Sequence, residues 1–262
     1  MSLSGKTAML AIIAHPVAHV RAPDFYNPQF AAKGLDAFIV PMQVLPEDLP
    51  DVLPRLQKLR NFRGLVVTIP QKEVVAKLCN DLRPAGRLAG AVNAVRFELD
   101  GKLTGDMFDG IGLLQAMKEA RVGLAGRRVL LVGAGGAGRA IAMSFAAQGI
   151  AGMTIANRAP ARAEQLAADV RKHFPTLSVA AGSSDPSGHD VIVNATSLGL
   201  HDGDPAPLDL DRLRREMDVV EIIAPVEWTP FRARGRDLGC RTASGRPTAE
   251  RPVDAMIDYF HL

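Results

Sequence analysis

Three stretches of this sequence hold residues whose types and spacing suit chemistry. The first is "GLVVTIPQKEVV", Gly64 to Val75. The β-prone run Leu65–Ile69 is stopped by Pro70, and Lys72 follows at once, before apolar residues resume at Val74. A lysine just past a buried strand is either a solvated helix-start residue or an amine held over a site. An ammonium in the second role hydrogen-bonds a developing alkoxide and exchanges its proton. The second stretch is "VLLVGAGGAGRAIA", where Gly133, Gly135 and Gly138 have the G-x-G-x-x-G spacing, with Gly136 and Ala137 between them. The first glycine allows a tight turn and the second lets backbone approach a pyrophosphate. The third permits close packing of helix on strand, and the helix start supplies amide donors. The third stretch is "TIANRAPARAEQLA", with Asn157, Arg158 and Arg162 where an NAD-specific fold carries an acid for the ribose 2′-hydroxyl. An arginine pair suits a 2′-phosphate.

These residues need elements to position them, and the pattern alternates strand and helix. Ala8–Ala14 reads as a buried strand and 23–33 as a helix. "AFIVPMQV" is a second strand, 47–59 a helix, "LVVTI" a third strand, and 73–78 starts another helix. "AVNAVRFE", the turn Asp100-Gly101 and "KLTGD" read as a hairpin, followed by a helix over 110–121. A second unit begins near Gly123. "RRVLLV" has almost no polar alternation, as a parallel strand covered on both faces should. The glycine-rich turn follows it, with a helix over 139–147, the strand "MTIAN", the helix 160–173, a short strand near "SVA" and the strand "DVIVNAT". Such βαβ succession implies a parallel sheet with right-handed crossovers. The closing segment "PTAERPVDAMIDYFHL" reads as a helix with Val253, Met256, Ile257 and Phe260 on one face, returning to the first domain. The expected fold is α/β in two domains with a cleft between them. A substrate-binding and catalytic domain takes 1–107 plus 235–262, and a Rossmann-type dinucleotide domain takes 108–234.

Composition narrows the function classes. The chain has 262 residues, 47% hydrophobic and 23% charged, which suits one large or two modest soluble domains. A formal charge of +3, dispersed along the chain, gives no footprint for nucleic acid. Cys79 and Cys240 stand far apart with no CxxC, so neither a disulfide framework nor a zinc site is expected. His15 and His19 are four residues apart around a proline with no third ligand nearby, and no metal is expected there. The N-terminal apolar run is too short for a membrane span, and no signal peptide is read. A cytoplasmic protein follows, working on a small molecule, as a monomer or homodimer, without nucleic acid or membrane partners. In this context the glycine loop reads as a dinucleotide site, against the reading of a glycine-rich turn without ligand. NADP is preferred over NAD, which the same fold also accommodates.

Six motifs, "VTIPQKE", "GAVNAV", "LTGDMFDG", "VGAGGAGRA", "NRAPARAEQLA" and "NATSLGL", occur in this order. Together they resemble the shikimate dehydrogenase family over nearly the whole chain. "GDMFDG" and "VVEIIAPVEWTPF" are similar to its divergent shikimate-dehydrogenase-like branch. The resemblance implies Lys72 as the catalytic lysine and Asp109 as its partner, with Thr68 and Asn93 hydrogen-bonding substrate hydroxyls. It also places Thr196, in "NATSLGL", among the cofactor-binding residues. A carboxylate beside the amine holds it in position and biases its protonation.

The departures cluster on groups that would grip the substrate. Against a family motif close to HSxSP, whose hydroxyls hold the substrate carboxylate, this chain has Val20 and Ala22. Pro252 falls where the family carries a glutamine, Ile223 or Ala224 where it carries a tyrosine, and Val66 where it carries an asparagine. One charge-assisted hydrogen bond is worth about 1.5–3 kcal/mol, so two such losses weaken carboxylate binding severely. Arg21, between the two lost hydroxyls, is the candidate replacement as a carboxylate fork. In an extended segment, however, its side chain shares a face with His19 and Pro23.

The leading expectation is an NADP-dependent oxidoreductase of the shikimate/quinate dehydrogenase type. It would act on a cyclic polyhydroxy carboxylic acid, in the aromatic amino acid biosynthesis setting that the family implies. One rival is a dehydrogenase for a non-shikimate alcohol. The other is a non-catalytic ligand sensor on the same scaffold, which would need no proton shuttle.

Overall fold

Apolar residues alternate between two faces of the first strand, β1 (Ala8–Ala14). Leu10 and Ile12 enter one core cluster, Ala11 and Ile13 another. This is how a strand buried on both faces reads as a continuous apolar run. The structure is a computed structural model that describes residues 3–18, 20–68, 70–224, 226–246 and 253–262. It divides into two compact units, Met1–Phe108 with Pro252–Leu262, and Asp109–Arg251.

In the first unit β1 is followed by α1 (Ala22–Ala32), β2 (Ala37–Gln43), a 3-10 turn (Pro46–Asp48) and α2 (Leu49–Leu56). Then come β3 (Phe62–Val67), α3 (Lys72–Leu78), β4 (Asp81–Leu82), α4 (Pro84–Ala89), β5 (Ala94–Phe97) and β6 (Leu103–Asp106). The strands form one sheet in the order β2-β1-β3-β5-β6-β4. β1 pairs in parallel with β2 and β3, whereas β5 is antiparallel to β3 and β6. α9 (Val253–Phe260) returns to this unit. Its Val253, Met256, Ile257 and Phe260 are buried in the cluster that holds Leu10, Ile12, Tyr26 and Phe30. The opposite cluster takes Leu49 and Leu53 of α2 and Val75 of α3.

The second unit holds α5 (Asp109–Glu119), β7 (Arg128–Val132), α6 (Gly136–Ala146), β8 (Gly152–Ala156), α7 (Pro160–His173) and β9 (Ser178–Ala181). It continues with β10 (Val191–Asn194), β11 (Asp218–Glu221), α8 (Pro230–Asp237) and β12 (Thr242–Ala243). All strand pairs are parallel, in the order β12-β11-β10-β7-β8-β9. Numbered within the unit this is 6-5-4-1-2-3, the doubly wound dinucleotide-fold order, with its switch point between β7 and β10.

One boundary needs correction. The sequence reading closed the second domain at 234 and gave 235–262 to the first. The described residues from 235 to 246 belong to the second unit. There β12 completes the parallel sheet, with Val219 opposite Thr242 and Val220 opposite Ala243. The elements β4, α4, β11, α8 and β12 escaped the sequence reading. β4 and β12 have two residues each, and β11 carries only Val219-Val220 as an apolar signal. The last segment's residues 247–252, Pro252 among them, lie outside the described residues, as does His19. Among the described residues no helix is long and apolar enough to cross a membrane.

Candidate functional site

In the first unit, backbone hydrogen bonds tie several expected residues to one end of the sheet. Thr68, just past β3, donates from its N–H to Ile13 O at 3.2 Å. Val67 N–H donates to Asn93 O at 2.8 Å, and Asn93 N–H to Asp106 O at 3.0 Å. Val92 N–H donates to the carbonyl of Lys72 at 3.1 Å. Thr68, Lys72 and Asn93 are therefore held by adjacent strand ends rather than by a long loop. Asn93 is buried, and its Oδ1 accepts from Phe108 N–H at 2.9 Å, which orients Nδ2 as the amide's donor end.

Lys72 is half-buried and is the first residue of α3. A cation there opposes the helix dipole, at a cost of about 0.3–1 kcal/mol. Glu73, next to it, has the favoured sign. Helix stability therefore does not explain a lysine at this position. Gln71, at the cap position, is fully buried, and its Nε2 donates to Val44 O. That bond fastens the start of α3 beyond the end of β2. Sequence reasoning passed over Gln71, since a glutamine beside a lysine looks like any polar helix start.

Asp106 also went unread. It is buried at the end of β6, and its Oδ1 accepts from Gly86 N–H at 3.2 Å and Met107 N–H at 2.9 Å. It thus caps α4 from a distant strand. Arg83 Nε lies 3.7 Å from its Oδ2. Asp109 opens α5 in the second unit, where an acid suits the helix start.

Arg21 is exposed, and its Nε pairs with Asp24 Oδ2 at 2.5 Å within the first turn of α1. Val20 and Ala22 pack against the cluster that contains Tyr26, Phe30 and Phe108. Val66 and Ile223 are buried.

In the second unit each glycine of the loop meets its own steric demand. Gly133 has φ +117°, and a Cβ there would lie 2.7 Å from Ala195 O. A Cβ on Gly138 would lie 2.1 Å from Gly133 O, so only glycine lets α6 sit this close to β7. Gly135 caps α6, and a Cβ on it would meet nothing within 4 Å. The first bond of α6 at this end is Arg139 N–H to Gly135 O at 2.9 Å, so the amides of Gly136, Ala137 and Gly138 precede the helical ladder. Open space beside Gly135, at a helix start on the switch point, fits a pyrophosphate.

Asn157 follows β8. Its Oδ1 accepts from Ala134 N–H at 3.2 Å, and its Nδ2 donates to Ala159 O at 3.0 Å. It braces the glycine loop against the turn that carries Arg158. Arg158 and Arg162 are exposed beside the start of α7. Thr196 Oγ1 donates to Asn194 Oδ1 at 2.7 Å and accepts from Leu198 N–H at 3.0 Å, so this hydroxyl is engaged inside its own loop. Glu221 is fully buried at the end of β11. Burial pushes its carboxyl above the ordinary range, against the opposing hydrogen bonds from Thr229 and Asn194.

Two family models match the chain, "Shikimate dehydrogenase substrate binding domain" over residues 12–95 and "Shikimate / quinate 5-dehydrogenase" over residues 115–200. A curated shikimate dehydrogenase (NADP(+)) of Rubrobacter xylanophilus is 40% identical over 98% of this chain and 89% of its own. The chain belongs to the shikimate dehydrogenase family. A crystal structure of a shikimate dehydrogenase in complex with NADP+ superposes with a TM-score of 0.90 at 29% identity, covering 99% of this chain and 91% of that one. The ligand-free 5-ketofructose reductase of Gluconobacter sp. strain CHM43 superposes at 0.85, also 29% identical, covering 98% of this chain and 94% of that one. The family scaffold is thus shared with a reductase named for a ketose.

Proposed function

We propose that this chain is an NADP-dependent oxidoreductase of the shikimate/quinate dehydrogenase type. The first unit binds substrate and supplies the proton-transferring lysine, and the second binds the dinucleotide. The observation that carries this reading is the bonded frame that holds Thr68, Asn93 and Lys72 at one sheet end. Family membership and the glycine loop at the switch point support it. When bound, NADP+ would supply the hydride acceptor for alcohol oxidation, and NADPH the hydride donor for the reverse reaction. Asn93 Nδ2 and the Thr68 hydroxyl orient substrate hydroxyls. The Lys72 amine takes the hydroxyl proton as the alcohol carbon becomes a carbonyl, and its ammonium returns that proton in reduction. Asp109 is proposed as the carboxylate that favours the charged lysine. Gly135, Gly136, Ala137 and Gly138 receive the pyrophosphate, and Arg158 with Arg162 receives the 2′-phosphate.

A second reading concerns the substrate. Val20 and Ala22 are apolar and packed, and Arg21 is engaged with Asp24. These observations favour an alcohol or ketone without a carboxylate, and the likeness to a 5-ketofructose reductase agrees. A panel assay decides between them. Shikimate, quinate and neutral polyols are oxidised with NADP, neutral ketoses are reduced with NADPH, and nicotinamide absorbance is followed. Turnover confined to shikimate or quinate supports the first reading, and turnover confined to neutral compounds supports the second. No turnover with any of them counts against both.

A further inference from the structure

Neither proposed proton transfer uses Glu221, yet this carboxylate is fully buried at the end of β11. Burying such a group is costly unless its oxygens are bonded. Two different elements bond them here. Asn194 Nδ2 donates to Oε1 at 2.9 Å, and Thr229 Oγ1 donates to Oε2 at 2.6 Å.

Asn194, the fully buried last residue of β10, carries the connection onward. Its Nδ2 also donates to Leu198 O at 3.1 Å. Its Oδ1 accepts from Thr196 N–H at 3.1 Å and from Thr196 Oγ1 at 2.7 Å. Thr229 caps α8, its Oγ1 accepting from Arg232 N–H at 3.2 Å. One carboxylate therefore joins the loop after β10 to the start of α8.

The same loop is confined on both sides. A Cβ on Gly133 would lie 2.7 Å from Ala195 O, and a Cβ on Gly199 would lie 3.3 Å from Thr229 Cβ. The loop is wedged between the glycine turn and α8, and its internal bonds converge on Asn194 and Glu221.

A doubly wound sheet binds a dinucleotide as two mononucleotide halves astride the switch point. The half built on β7, β8 and β9 carries the glycine turn and Arg158, which suit the adenosine end with its 2′-phosphate. The half built on β10, β11 and β12 is left for the nicotinamide end. We propose that Glu221 is a positioning residue for that end of the cofactor. Through Asn194 and Thr229 it holds the 195–199 loop in the shape that receives the nicotinamide ribose, while itself touching no part of the ligand. The inference rests on the NADP reading above.

The test titrates wild-type protein, Glu221→Ala and Glu221→Gln with NADP and with 2′,5′-ADP, the adenosine end alone. Glu221→Ala is expected to weaken NADP roughly tenfold to hundredfold. It should leave 2′,5′-ADP within about twofold, because the adenosine half is built on other strands. In steady state the KM for NADP rises while the KM for the alcohol holds. Glu221→Gln keeps an acceptor for Asn194 and a partner for Thr229, so it restores most of the NADP affinity. If the alanine variant does not fold, Thr229→Val removes one donor at constant volume and gives the same selective loss at smaller size.

Unchanged NADP affinity in these variants overturns the inference. So does an equal loss for both compounds, which would mean general loosening of the unit, and so does a glutamine variant as weak as the alanine one. Wild-type protein that prefers NAD overturns the NADP assignment alone, and the same comparison with NAD and 5′-AMP then decides the role of Glu221. Wild-type protein that binds neither dinucleotide overturns both readings together.

Discussion

The two units prepare their ligand sites by different means. In the second, the glycine loop is specified by backbone demands. A side chain at Gly133 or Gly138 would strike a carbonyl of the fold, and the space beside Gly135 is open. In the first, the frame through Thr68, Asn93 and Lys72 is made of backbone bonds at strand ends, which do not by themselves dictate the side chains around it. Val20 and Ala22, half-buried, pack against the core cluster beside β1 and α1. Recognition through backbone leaves a fixed trace in the sequence, whereas recognition through side chains can change while the fold stays the same.

The sharpest way to break this comparison is at Lys72, the side chain in the first unit that is proposed not to be interchangeable. Lys72→Ala is expected to lower turnover by roughly 10²–10⁴-fold, the usual range for a general acid–base group. NADP affinity by calorimetry should stay nearly constant, because the dinucleotide residues are proposed in the other unit. Asp109→Asn should also slow the reaction, and the double variant should be little worse than Lys72→Ala alone. Single-turnover hydride transfer in the four proteins measures this. Near-wild-type turnover in Lys72→Ala would return this residue to the role of a solvated helix start.

In the second unit the contrast lies between backbone and side-chain recognition within one ligand. Arg158→Ala should weaken NADP by about 1.5–3 kcal/mol and leave NAD nearly unchanged, since only the 2′-phosphate loses a partner. Calorimetric titration with both cofactors measures the difference. Tighter NAD than NADP binding in the wild-type protein would remove the basis for assigning the arginines.

Much of this was legible in the sequence, for the reason the comparison gives. The run from Val129 to Val132, the glycine spacing and the helix after it identify a strand, turn and helix whose geometry leaves few alternatives. The apolar face of α9 was likewise readable from Val253, Met256, Ile257 and Phe260. What failed were short elements and long-range side-chain bonds. β12 has two residues and no periodicity, so the second unit was ended too early at 234. Gln71, Asp106 and Glu221 act through bonds to Val44, Gly86 and Asn194, none of them a neighbour in the chain. Arg21 shows how a local pairing escapes a positional argument: its place between Val20 and Ala22 suggests a substrate ligand, while its guanidinium pairs with Asp24, three residues on.

A smaller effect tests the variable side of the first unit. Val20→Ser with Ala22→Ser restores two hydroxyls to a segment whose backbone is already in place. The KM for shikimate is expected to fall at least about tenfold, the worth of one charge-assisted hydrogen bond, with no change for a neutral polyol. Steady-state kinetics with both substrates measures the split. Wild-type protein that already saturates at micromolar shikimate would show that another donor has taken over the carboxylate, and the two substitutions would then be idle.

The smallest expected effect concerns the cost of the buried carboxylate in the second unit. The Glu221 carboxyl is raised above its ordinary value of 4.5, with burial as the largest cause. The folded state therefore holds this proton more tightly than the unfolded chain does. Its stabilising contribution is complete below pH 4.5 and is lost as pH rises from there through the raised value. A glutamine at this position does not ionise and suffers no such loss. The difference in melting temperature, Glu221→Gln minus wild type, should grow more positive between pH 4.5 and pH 8. A gain of about 2–4 °C corresponds to each kcal/mol for a protein of this size. Scanning calorimetry across that range measures it, and the absolute offset, which includes any imperfect bond to Thr229, does not enter. A difference that is flat with pH would mean that the carboxylate is as well solvated in the fold as in the open chain. The buried network would then be no more costly to build than an exposed one, and the contrast between a rigidly specified second unit and a tolerant first would rest on the glycines alone.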